Sequence, residues 1–210
     1  MTSMWIDNLF SSLKAFSNMA SWPMSFKPRP EIMPQHDKTK MQKHRLFETY
    51  STHTDEKYFV DEFGRPVFYY EPDQVMQPGY VKIRIITKLS DMLHKTALKP
   101  EFIQATPNED LTVICSSFLG FGHVFCAGQE PRKIFSGRPA KDNIAAFSLC
   151  VFFQILGLNL SDIQKNYGQY LSENTRANLR AGYKQLESFG NEINELRALL
   201  EDSSAEQLAS

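Results

Sequence analysis

Between Ile144 and Leu156 the chain carries Ile144, Ala145, Phe147, Leu149, Val151, Phe152, Ile155 and Leu156, more apolar side chains than one helical stripe can hold. Such an overfilled stripe is expected of a helix largely buried on a sheet. It begins near Pro139, since a proline in the first turn forfeits no hydrogen bond, and runs to about Leu156. The densest stretch, Cys150 to Leu160, is interrupted by Gln154 and Gly157. It falls short of the roughly 20 apolar residues a membrane span needs, so no membrane partner is expected.

The rest of the chain has to enclose this helix. With 210 residues, 42% hydrophobic and 22% charged, it has the size and composition of one or two small globular domains. Net charge is −1, but it is unevenly spread: residues 1–79 carry 9 basic and 10 acidic side chains, 80–157 carry 9 and 6, and 158–210 carry 5 and 8. A polyanion-binding surface would therefore lie in the middle segment. The cysteines Cys115, Cys126 and Cys150 are odd in number and show no paired spacing, which fits buried thiols in a reducing, intracellular (cytoplasmic or nuclear) setting.

Four segments are expected. Residues 1–43 comprise an amphipathic helix and a linker. Trp5, Ile6, Leu9, Phe10, Leu13 and Phe16 recur at helical spacing between Ser3 and Ala20, and Trp5, Leu9, Phe10 and Leu13 form a stripe that either grips a partner or packs on the chain's own core. Trp22 to Lys43, with Pro23, Pro28, Pro30 and Pro34, reads as an extended linker. Residues 44–79 hold a short hairpin, with Tyr58 and Val60 facing Val67 to Tyr70 across the turn Glu62 to Pro66.

Residues 80–157 read as helix, three strands, helix. Lys88 to Ala97 is helical, with Leu89, Met92 and Leu93 inward, and is stopped by Pro100. Strand-like runs follow at Glu101–Thr106, Leu111–Phe118 and His123–Ala127, with turns at Pro107-Asn108 and Gly120 to Gly122. The run Leu89-Ser-Asp-Met-Leu-His-Lys-Thr-Ala-Leu-Lys-Pro-Glu-Phe102 resembles the first helix and strand entry of the double-stranded-RNA-binding domain. Gly137-Arg-Pro-Ala-Lys-Asp-Asn-Ile-Ala-Ala-Phe-Ser-Leu149 is similar to that family's second helix.

The resemblance implies an α+β fold of order α-β-β-β-α, with two helices on one face of a three-stranded antiparallel sheet. It implies weak, sequence-independent binding of duplex RNA, read by shape across its minor grooves. Asp91, His94 and Lys95 would be the first-helix contacts; Arg138 and Lys141, helped by Arg132 and Lys133, would meet phosphates at the second helix N-terminus. The chain departs from the family at Pro107-Asn108-Glu109-Asp110, where the usual Gly-Pro-x-His turn is replaced by acidic residues. Members with such departures act as protein-binding or dimerisation scaffolds, which stands as the alternative function.

Residues 158–210 look helical and interaction-prone. Leu179, Gly182, Leu186, Phe189, Ile193, Leu196 and Leu200 alternate spacings of three and four, a short heptad seam. Leu186, Phe189, Ile193 and Leu196 would contact a protein partner or a second copy, or fold back on the chain's own domain. No cofactor, catalytic group or metal is expected; His123 with Cys126 is the one pair at ligand spacing, and a lone His-x-x-Cys on a strand is far more often core or edge packing. The expected function is that of a non-catalytic RNA-binding adaptor in an RNA-processing or silencing complex.

Overall fold

The computed structural model describes residues 2–30, 59–61, 63, 65–70, 72–97, 105–106, 108–126 and 142–208. The described elements in chain order are α1 (Thr2–Phe16), β1 (Ser25–Pro28), β2 (Phe59–Val60), β3 (Pro66–Tyr70), α2 (Pro78–Ala97), α3 (Asn108–Phe118), α4 (Gly122–Cys126), α5 (Asp142–Ile155), α6 (Leu160–Tyr167), α7 (Glu173–Leu186) and α8 (Gly190–Leu208).

This is a mostly helical protein, and the α-β-β-β-α expectation is wrong. Leu111–Phe118, expected as a strand, lies inside α3, and His123–Ala127 overlaps α4; of Glu101–Thr106 only the last two residues are described. Glu109 and Asp110 occupy the first turn of α3, where carboxylates favour the positive end of the helix. A turn in the expected place is therefore a helix start. The hydroxyls of Ser116 and Ser117 both donate to the Val113 carbonyl, at 2.7 and 3.1 Å. That internal satisfaction lets the serines of α3 be buried.

The sheet lies elsewhere and is mixed, in the order β1-β3-β2. The expected hairpin exists: β2 pairs antiparallel with β3, Phe59 opposite Val67. Asp61 closes its turn, accepting from the Phe63 and Arg65 backbone N–H groups, both at 2.9 Å. The third strand comes from the segment expected as linker, where β1 runs parallel to β3 with Phe26 opposite Phe68. The expected N-terminal helix is present as α1.

Two apolar clusters result. In one, Ile6, Phe10 and Leu13 of α1 meet Phe26, Phe68 and Tyr70 of the sheet and Ile85, Leu89 and Met92 of α2. In the other, Ala146, Leu149 and Cys150 of α5 meet Val113, Ile163, Leu179, Leu186 and Ile193. The overfilled stripe of α5 is thus covered by helices rather than by a sheet. Gly157 ends it with φ 74°, the left-handed conformation glycine adopts freely, while Leu158 N–H returns to the Phe153 carbonyl at 2.9 Å. Helix α3 packs against both α2 and α5 and so joins the two clusters.

Candidate interaction surface and buried charge cluster

Asp91, His94 and Lys95 fall at i, i+3 and i+4 on α2, a spacing that puts them on one face. That face is buried: His94 and Lys95 are closed off from solvent and Asp91 is 8% exposed. His94 Nε2 lies 3.0 Å from Asp91 Oδ1, and Lys95 Nζ lies 3.0 Å from the same oxygen and 3.1 Å from Oδ2. Burial alone would raise the Asp91 pKa, but the His94 hydrogen bond and the Lys95 and Lys88 charges outweigh it and hold it at about 2.

The three residues expected to touch RNA are therefore spent on one another inside the protein. Cys115, across on α3, has its thiol pushed up to about 12 by burial and by the Asp91 charge, so it stays protonated and unreactive. Cys126 and Cys150 are also buried, and none of the three cysteines is in a disulfide. The four remaining expected RNA contacts, Arg132, Lys133, Arg138 and Lys141, lie outside the described residues. On the short α4, His123 is exposed and Cys126 is buried. Among the described residues no group of three or more His, Cys, Asp or Glu side chains is gathered as for a metal.

The stripes expected to bind a partner divide. Phe10 and Leu13 are buried in the chain's own core, with Trp5 and Leu9 half-buried against it, so the α1 stripe is used internally. The seam is broken by a tight turn, Glu187–Phe189, between α7 and α8. Leu186 and Ile193 pack inward, but Phe189 and Leu196 remain 43% and 41% exposed. Leu199, which lies off the seam, is 65% exposed. Only the three-dimensional placement of α8 distinguishes it from a core leucine.

Helix α8 is fastened by a polar anchor. Arg197 donates from Nε to the Gln154 carbonyl at 2.8 Å, and its Nη2 donates to the same oxygen. The Gln154 carbonyl, in the last turn of α5, also accepts from the Gly157 N–H at 3.0 Å, so Arg197 adds side-chain donors at a helix end. Tyr183 Oη donates to the Leu158 carbonyl, in the link between α5 and α6, at 2.9 Å. With Ile193 and Arg197 holding one side of α8, Leu196 and Leu199 are left facing outward beside Glu192 and Glu195. A separate cleft of about 350 Å³ lies between α3, α5 and α7, with the uncharged Asn143, Ser148, Asn178 and Gln185 in its lining.

No single helix among the described residues is long and apolar enough to cross a membrane. No protein-family model, curated protein or solved structure matches the chain.

Proposed function

We propose that this chain is a non-catalytic helical adaptor that binds a protein partner through the outward face of α8. The observation that carries this reading is the exposure of Leu196 and Leu199 on a helix whose other side is fixed to the body by Ile193 and Arg197. Apolar side chains presented from a rigid helix match the anchor pattern of helix-mediated recognition. Residues 158–210 carry 5 basic and 8 acidic side chains, so a segment with apolar anchors and basic flanks fits the surface, with charge favouring encounter.

The test is a photo-crosslinking residue placed in turn at Leu196, at Leu199 and at the exposed Lys165 of α6. Discrete crosslinked species from the first two positions, absent at Lys165 and lost when Leu196 is changed to Glu in the Leu199-labelled protein, support the reading. Equal crosslinking at all positions, or none, removes it. A salt titration with duplex RNA of about 20 base pairs provides the contrast. Binding that depends on Arg138 and Lys141 would return the chain to the RNA-binding class.

A further inference from the structure

A second cleft, of about 310 Å³, lies between α1 and β1, lined by residues that include Phe10, Ser11, Lys14, Ser25, Phe26 and Lys27. Its two ends differ. The rings of Phe10 and Phe26 stack with centroids 5.8 Å apart, which sets β1 alongside the middle of α1. Lys14 Nζ donates to the Trp22 carbonyl at 2.6 Å, so the Lys14 end is closed by the loop that joins α1 to β1. Asp7 also lines the cleft, but it is two helical turns from Lys14, about 10 Å along the axis. It makes no ion pair with Lys14 or Lys27 among the described residues.

Two polar groups of residues that line the cleft are underused. Lys14 is 9% exposed. Its ammonium has three donors, of which one goes to Trp22; the Phe10 ring, 5.6 Å away, offers a weak cation–π contact, and no carboxylate among the described residues balances the charge. The Ser25 hydroxyl is shut off from water and has no hydrogen-bond partner among the described residues. A buried hydroxyl is almost always paired, and a buried ammonium without a counter-charge is unfavourable. Both deficits are made good by the same thing, an acceptor carrying negative charge. The lowered pKa of Lys14, caused by burial, is in keeping with the missing counter-charge.

We infer that this cleft binds a small oxyanion carried on a short apolar body, its charged head held by Lys14 and the Ser25 hydroxyl, with Lys27 adding charge nearby and Phe10, Met24 and Phe26 covering the apolar part. Carboxylate and phosphate heads share this chemistry, and the apolar walls reject a bare ion.

The experiment is a titration of the full chain followed by amide chemical shifts at constant ionic strength, with hexyl phosphate, hexanoate, inorganic phosphate and hexanol as probes. Saturable shifts at Ser25 to Lys27 with hexyl phosphate or hexanoate, at least tenfold weaker with inorganic phosphate and with hexanol, are expected. Lys14→Met should weaken binding tenfold or more and Ser25→Ala several-fold, with Lys14→Arg retaining most of it. Since Lys14→Met also removes the bond to Trp22, Lys27→Met provides an exposed variant that keeps the fold and should weaken binding a few-fold. Shifts that never saturate, equal binding of hexanol, or unchanged affinity in folded Lys14→Met and Ser25→Ala would overturn the proposal. Vesicles of phosphatidylcholine containing phosphatidic acid separate a lipid source from a soluble one. Pelleting with these vesicles and no response to soluble hexyl phosphate would also overturn it.

Discussion

Lys95 Nζ lies 3.0 Å from Asp91 Oδ1 and 3.1 Å from Oδ2, one turn apart on α2 and both inside the protein. Two charges taken out of water together tolerate each other's presence better than either tolerates the other's loss. Replacing Asp91 by Ala removes the buried carboxylate that Lys95 and His94 share, and breaking a buried pair in this way costs about 3–5 kcal/mol. Urea unfolding should show this, and Asp91→Leu combined with Lys95→Met should cost less than the sum of the two single changes. Additive costs would mean that the pair is not coupled.

The same carboxylate gives the protein an acid limit. Its pKa falls from 3.8 to about 2 on folding, so the unfolded chain takes up the proton first. The associated stability is fully present above the unfolded pKa and is lost as pH falls through the folded one. A difference of this size corresponds to about 2 kcal/mol. The gap in unfolding free energy between wild type and Asp91→Asn should be constant from pH 7 to 5 and shrink by this amount as the pH is taken from 4 towards 2. A gap independent of pH would show that Asp91 is not the group responsible.

Gly182 of α7 faces Cys150 of α5. A Cβ at Gly182 would stand 2.8 Å from Cys150 Sγ and 3.5 Å from its Cβ. Alanine in place of glycine normally gains about 0.5–1 kcal/mol inside a helix, but forcing extra volume into a packed core costs about 1–3 kcal/mol. The clash should win, so Gly182→Ala lowers stability on balance. Adding Cys150→Ala removes the sulfur and should recover much of the loss, a coupling that a double-mutant cycle measures directly.

These contacts explain what could be read in advance and what could not. The excess of apolar residues on α5 announced its burial, and the Tyr58 to Tyr70 pattern announced the hairpin, because both are local. Helix α3 was hidden. Leu111, Thr112, Val113, Cys115, Ser116 and Ser117 are all buried, so no exposed polar face marks a helical period, and its β-branched residues suggest a strand. Asp91, His94 and Lys95, expected to meet RNA, are covered by residues distant in sequence, Cys115 of α3 among them. Pairing of Ser25 with Val67 is non-local in the same way. The exposed Leu199 could be distinguished from core leucines only once α8 was placed.

Arg197 decides whether that surface persists. Its guanidinium makes charge-assisted bonds to the Gln154 carbonyl from two nitrogens, interactions of a kind worth about 1.5–3 kcal/mol. The neighbouring helix α7 is joined to α8 through the turn at Glu187–Phe189. Arg197→Ala should therefore free α8 without unfolding the body. Amide hydrogen exchange would quicken across residues 190–199 while Leu149, Cys150 and Leu179 keep their protection. Arg197→Lys retains the charge but not the paired donors and should restore only part of the protection. If the helix stays protected in Arg197→Ala, then Ile193 and its apolar neighbours hold α8 by themselves, and the Leu196 and Leu199 face is set by packing rather than by the arginine.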